Sequence, residues 1–164
     1  MIKKIYLDMD GVICNFEKKV AELNAYKIND KGEQKVNWDL LDSIGSSVWS
    51  TIEWIPEGKE LYNYLVPFCH RHNLELGILS ALYLPNGKKG KKEWLAKNCP
   101  NIKVENINII DNGLSKYKYG GKDVLLIDDN PEVCAKYAKI GPVSRFERIP
   151  LHNYYEAILN YYLV

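Results

Sequence analysis

The stretch Lys3-Lys4-Ile5-Tyr6-Leu7-Asp8-Met9-Asp10-Gly11-Val12 constrains this chain more than any other. Ile5 to Leu7 is a short apolar run and reads as a buried strand. It ends in two aspartates one residue apart, followed by a glycine that permits a sharp turn. Residues i and i+2 of an extended chain point the same way. A strand that continued to position 10 would therefore put both carboxylates on one side of its carboxyl end, where open α/β sheets bind ligands. Two close carboxylates repel, so they share a proton or hold a cation. A hard cation such as Mg²⁺ takes oxygen ligands and keeps positions for water and phosphate. An aspartate beside it is then placed to attack phosphorus and form an aspartyl-phosphate. The plainer alternative is a polar turn after a strand. A calcium loop fits less well, because no Glu stands where the EF-hand pattern needs its last ligand.

With 164 residues and 46% hydrophobic residues, the chain suits one domain with a real core and room for a small insertion. A formal net charge of +1 gives no bulk electrostatic case for nucleic acid or an anionic membrane. Cys14, Cys69, Cys99 and Cys134 are widely spaced with no Cys-x-x-Cys pair, which argues against a zinc site or a disulfide framework. A reduced, cytoplasmic protein is the simplest expectation. The chain reaches a charged strand at once, without a signal-peptide apolar region. No apolar run is long enough to cross a bilayer.

Phe16, Val20 and Leu23 recur at helical spacing and predict a helix from about Asn15 to Tyr26, with Asn15 as N-cap. Asn29 to Gly32 reads as a loop. Between Trp38 and Trp54, short apolar groups predict two short helices broken near Gly45. Residues 17–55 interrupt the strand pattern and read as an inserted helical cap, leaving 1–16 and 56–164 as the core. The cap's three tryptophans are expected in its interior, with stacking on a substrate ring as the alternative. Pro56 opens a helix whose core face is Leu61, Tyr64, Leu65 and Phe68. His70 and His72 near its end face different ways and read as solvated.

Leu74 to Ser80 predicts a second strand, ending in a hydroxyl. Lys88, Lys89, Lys91 and Lys92 follow, at the start of a helix that includes Trp94 and Leu95. A helix N-terminus disfavours cations unless an anion is near, so one lysine reaching inward to a phosphate is expected among otherwise solvated ones. Ile107 to Ile110 predicts a third strand, and Gly113 to Gly121 a loop carrying Lys116 and Lys118. Asp123 to Asp129 repeats the opening logic: an apolar strand ending in paired carboxylates. Pro131 then starts a helix, Val143 to Phe146 predicts a short last strand, and His152 to Leu163 a Tyr-rich last helix. No glycine-rich phosphate loop is present.

Strands alternating with helices predict a parallel sheet with right-handed crossovers, flanked by helices in a Rossmann-like α/β fold. Its carboxyl edge would gather Asp8/Asp10, Ser80, a lysine and Asp128/Asp129. These types fit one task. Asp8, Asp10 and Asp128 or Asp129 hold a cation, Ser80 and a lysine contact phosphate oxygens, Asp8 attacks, and Asp10 moves the proton.

Together these motifs resemble those of the haloacid dehalogenase superfamily of phosphatases. Asp8-Met9-Asp10-Gly11-Val12 looks like its first motif, Ile78-Leu79-Ser80 its second and Leu126-Ile127-Asp128-Asp129 its fourth. Asp8 through Phe16, the return at Ile55-Pro56-Glu57-Gly58, and Lys91-Lys92-Glu93-Trp94 resemble the 5′(3′)-deoxyribonucleotidase group in particular. The resemblance implies a Rossmann-like core with a cap after the first strand, and a Mg²⁺-dependent phosphomonoesterase. It implies Asp8 as nucleophile and Asp10 as acid/base, with the backbone carbonyl of Asp10 also on Mg²⁺. Ser80 and Lys91 would bind phosphate, Asp128 and Asp129 would complete the metal site, and Phe16 would lie near a substrate base.

This chain departs from that pattern in three places. Asn15 stands where the family commonly has Asp, Ser80-Ala81-Leu82 replaces Thr-Ser-Pro, and Lys89 and Lys92 compete with Lys91. The second aspartate at position 10 speaks against a dehalogenase, and the Asp128/Asp129 pair against a metal-dependent glycosyltransferase. The expected substrate is a small phosphate monoester, a (deoxy)nucleoside monophosphate above all, acted on by a monomer or homodimer. A sugar-phosphate phosphatase and a polynucleotide-end phosphatase are the alternatives within enzymes. A phosphate-binding regulatory module without turnover is the alternative outside them.

Overall fold

The computed structural model describes residues 1–149 and 154–163; for residues 154, 155, 162 and 163 only the backbone is described. Five parallel strands form the central sheet, in the order β5-β4-β1-β6-β7. They are β1 (Lys4–Leu7), β4 (Glu75–Ala81), β5 (Ile107–Ile110), β6 (Val124–Asp128) and β7 (Val143–Arg145). Such a sheet is buried on both faces, so its strands read as continuous apolar runs. Ile5, Leu7, Ile78, Leu125 and Ile127 point into the larger core, together with Leu61 and Leu65 of α4 (Pro56–His72), Trp94 and Leu95 of α5 (Pro85–Asn98), and Leu159 of α7 (Tyr154–Leu163). The alternate residues Tyr6, Leu79 and Leu126 meet Val133 and Tyr137 of α6 (Pro131–Tyr137) on the other face. Helices thus cover a parallel sheet on both sides, as the strand–helix alternation predicts.

The register sets the site. Leu7 is paired with Ile78 on one side and Ile127 on the other. Asp8 and Asp128 therefore follow at the same level on adjacent strands, with Ser80 close by on β4. β1 stops at Leu7, earlier than a same-side arrangement of Asp8 and Asp10 would need. The carbonyl of Met9 accepts from the N–H groups of Val12, Ile13 and Cys14, at 3.1, 2.9 and 2.8 Å. That turn sends the two carboxylates to different partners.

The segment between β1 and α4 holds α1 (Phe16–Glu22), a hairpin of β2 (Tyr26–Ile28) and β3 (Gln34–Val36), α2 (Trp38–Ile44) and α3 (Ser47–Ser50). Asn15 caps α1 by accepting from the Lys18 N–H. The helix ends before Tyr26 because Asn24 takes a left-handed φ of 49°. The predicted loop at Asn29 to Gly32 is the turn of the hairpin, held by the Asn29 side chain, which accepts from the N–H groups of Lys31 and Glu33. Gly45, with a φ of 101°, separates α2 from α3. The loop expected at Gly113 to Gly121 contains a 3₁₀ segment, Gly113–Tyr119. Residues 152 and 153 of the predicted last helix lie outside the described residues. No described helix is long and apolar enough to cross a membrane.

Candidate active site

Asp8, Asp128 and Asp129 converge at the carboxyl edge of the sheet. One carboxylate oxygen from each lies within 4.8 Å of the others. Asp8 and Asp128 are buried, and Asp129 is half-buried. Three acids this close need compensating charge, and part of it comes from Lys116. Its ammonium is 2.9 Å from Asp8 Oδ1 and 2.6 Å from Asp128 Oδ2, and the side chain is buried. Burial pulls the Lys116 pKa down, but the carboxylates of Asp8 and Asp128 outweigh it and raise the value. Asp128 Oδ1 accepts from the Asn130 N–H at 2.9 Å. Burial, followed by the charge of Asp8, nevertheless raises the Asp128 pKa. Asp129 is pushed up to about 6 by burial and by the charges of Asp8 and Asp128. A cluster that resists full ionisation and consists of hard oxygen donors fits a divalent cation such as Mg²⁺. Gly11 closes this corner: with a φ of 81°, a Cβ there would stand 2.1 Å from Asp129 Oδ2.

The carboxylate of Asp10 stands apart from that cluster and turns to Lys91. The Lys91 ammonium donates to Asp10 Oδ2 and Ser80 Oγ, both at 2.8 Å, and to the Ala81 carbonyl at 3.3 Å. Lys91 is 1% exposed. It shares the buried face of α5 with Gly87, Trp94 and Leu95. The other lysines of the run point elsewhere: Lys88 pairs with Asp111, Lys89 with Glu93, and Lys92 borders a separate apolar groove beside Leu95. Of the four, Lys91 is the one brought to Ser80.

Beside these groups lies a cavity of about 330 Å³, lined by Asp10, Gly11, Phe16, Glu17, Asp129, Phe146 and Arg148. Phe16 is stacked on Trp38, with ring centroids 5.5 Å apart and planes 13° from parallel, and Trp38 meets Tyr83 edge-on. Trp49 is buried, and Trp54 packs against Trp94. Of the three tryptophans, Trp38 therefore backs the wall of the cavity. The four cysteines are free and buried.

The sequence reading missed two elements of this site. Lys116 stood in what read as a loop, indistinguishable from Lys118. Phe146 was expected as the last residue of a short strand, but β7 ends at Arg145, and nothing in so short a strand fixes where Phe146 and Arg148 turn. The strand order, which puts the β5–β6 connection over the carboxyl edge, is the signal that singles out this loop.

No protein-family model matches the chain, and no curated protein matches it. Solved structures do. The chain is similar to a protein from Bacillus subtilis described as the HAD-hydrolase YfnB and bound to magnesium, at 12% identity and a TM-score of 0.58, over 93% of this chain and 90% of that one. It is similar to a HAD-family enzyme from Bacteroides thetaiotaomicron in complex with magnesium and inorganic phosphate, at 12% identity and a TM-score of 0.51, over 96% and 99%. It is also similar to L-2-haloacid dehalogenase from Xanthobacter autotrophicus, at 12% identity and a TM-score of 0.54, over 98% and 83%. At this identity the likeness concerns the fold: the chain has the Rossmann-type α/β fold of the haloacid dehalogenase-like hydrolases.

Proposed function

We propose that the protein is a Mg²⁺-dependent phosphomonoesterase that works through an aspartyl-phosphate on Asp8, with nucleoside monophosphates as the favoured substrates. The observation that carries this reading is the pairing of two units at one edge: Asp8 with Asp128 and Asp129, and Asp10 with Ser80 through Lys91. Asp8, Asp128 and Asp129, with the backbone carbonyl of Asp10, would hold Mg²⁺, which supplies charge stabilisation for the phosphoryl group. Lys116 holds Asp8 Oδ1, leaving Oδ2 for attack. As the bond from Asp8 to phosphorus forms and the ester P–O bond breaks, Asp10 gives its proton to the leaving oxygen. Asp10 then takes a proton from water as the water attacks phosphorus. The Asp8–phosphorus bond breaks, releasing inorganic phosphate and restoring the carboxylate. The Ser80 hydroxyl donates to a phosphate oxygen throughout, beside the charge of Lys91.

Residues 17–55 act as a cap that carries specificity. The Phe16–Trp38 stack offers a flat apolar wall to a planar base, which supports the nucleotidase reading over the sugar-phosphate one. Four buried free thiols suit a reducing cytoplasm. A second reading, dehalogenation, draws on the Xanthobacter neighbour. Asp10 held at the site disfavours it, since that reaction has no leaving oxygen to protonate. The test is phosphate release from deoxynucleotides, ribonucleotides, sugar phosphates and an aryl phosphate, with Mg²⁺ and with excess chelator. Release of phosphate that stops in chelator is expected. Full activity in chelator contradicts the metal assignment, and a sugar phosphate as best substrate contradicts the nucleotidase assignment.

A further inference from the structure

We propose that Lys91 is a positioning residue, which acts through Asp10 and Ser80 instead of gripping the phosphoryl group itself. The proposal rests on the phosphatase reading above. An ammonium has three N–H donors, and those of Lys91 have three acceptors: Asp10 Oδ2, Ser80 Oγ and the Ala81 carbonyl. The side chain is 1% exposed, so no water offers a fourth. By contrast, Lys116 has two carboxylate partners for its three donors.

Each contact of Lys91 fixes what its partner presents. Ser80 Oγ accepts from Lys91, so its own proton is free to be donated to another oxygen. Asp10 is held by Oδ2, and its Oδ1 is buried without a partner. The Asp10 side chain is nonetheless 30% exposed and lines the cavity. Lys91, which holds Oδ2, therefore sets the angle at which the Asp10 carboxyl meets the leaving group. The backbone of Lys91 is itself fixed, because α5 meets α3 closely: a Cβ on the adjacent Gly90 would lie 2.2 Å from the Ser46 carbonyl oxygen.

A phosphate ligand and a positioning residue differ in what their removal costs. Loss of a phosphate ligand weakens every ester and the binding of orthophosphate. Loss of the residue that aims Asp10 slows hydrolysis of the intermediate for every ester, but it lowers kcat/KM, which reports the steps up to departure of the leaving group, only for esters whose leaving oxygen needs a proton. The experiment compares wild type, Lys91→Met, Asp10→Asn and the double variant on an alkyl phosphate and on 4-nitrophenyl phosphate, whose leaving group departs unprotonated. Calorimetry measures Mg²⁺-supported orthophosphate binding. Lys91→Met is expected to lower kcat/KM at least about 100-fold for the alkyl ester and under about tenfold for the nitrophenyl ester. Orthophosphate affinity should stay within about threefold, and the double variant should be no worse than Asp10→Asn alone. Equal losses on both esters with loss of orthophosphate binding overturn the proposal, as does an alkyl activity that survives. Should Lys91→Met fail to fold, Lys91→Arg keeps the charge without the three-acceptor geometry. It is expected to lose the alkyl ester selectively, and an unchanged ester ratio overturns the proposal. Wild type that neither binds orthophosphate nor releases it from either ester contradicts the phosphatase reading instead.

Discussion

Lys91 and Lys116 are both buried lysines paired with carboxylates, and they were unequally visible in the sequence. Lys91 lies three and four residues before Trp94 and Leu95, on the face of α5 that turns inward. In the sequence Lys89 and Lys92 compete with it, and the register of α5, which begins at Pro85, is what turns Lys91 inward. Lys116 has no such frame, since a 3₁₀ segment gives no long amphipathic pattern, and its neighbours are polar or tyrosine. Its importance follows from its partners. Lys116→Met leaves Asp8 and Asp128 buried without their cation, and breaking a buried pair in this way costs about 3–5 kcal/mol. Urea denaturation in chelator should show a loss of that order. Wild-type stability in that variant would mean that Lys116 does not hold the two acids.

Asp129 makes a pH prediction. Its pKa in the folded, cation-free protein is raised to about 6, above the ordinary 3.8. A raised carboxyl binds its proton more tightly folded than unfolded, so its contribution to stability is complete below the ordinary value and is lost as pH rises through about 6. A cation that binds only the ionised cluster restores stability where the proton has left. The rise in Tm on adding Mg²⁺ should therefore be larger at neutral pH than well below the folded pKa. An equal rise at both would mean that the cation binds elsewhere.

At the scale of elements, β1, β4, β5 and β6 were legible as largely apolar runs between turn residues, whereas β7, Val-Ser-Arg, is polar after its first residue and ends one residue before the expected Phe146. The hairpin was not legible. β2 and β3 have three residues each and are largely exposed, so no apolar alternation marks them. α1 was legible at its start, where Asn15 caps it, and misjudged at its end. The apolar spacing runs on past Glu22, but Asn24 turns left-handed. Asn15→Ala should cost about 1 kcal/mol, measurable by denaturation, with phosphate release little changed. A large loss of activity would give Asn15 a part in the site beyond its cap. The packing of α3 on α5 is tighter than any sequence pattern announces, because Gly90 leaves no room for a Cβ beside Ser46. Gly90→Ala should destabilise by about 1–3 kcal/mol through overpacking. It should also weaken the alkyl-ester reaction by moving Lys91, and a variant as stable and active as wild type would contradict that seating.

For the whole molecule, the parallel sheet and its active edge follow from strand–helix alternation, and the comparisons support that fold at low sequence identity. The division of labour within the edge was less legible. Asp8 and Asp10 look like one pair in the sequence, but the chain turns between them and gives each its own lysine. In the proposed mechanism, Lys116 steadies the nucleophile within the cation site, and Lys91 sets the acid/base beside a hydroxyl. The central claim is that phosphorus passes through a covalent bond to Asp8. The most direct measurement is mass spectrometry of acid-quenched Asp10→Asn protein after exposure to 4-nitrophenyl phosphate and Mg²⁺. That variant still expels the good leaving group but lacks the base for hydrolysis, so the adduct should accumulate. The account predicts one phosphoryl group on the peptide that contains Asp8, and none in the variant that also carries Asp8→Asn. Nitrophenol release with an unmodified Asp8 peptide, or with the phosphoryl group on another residue, would contradict it.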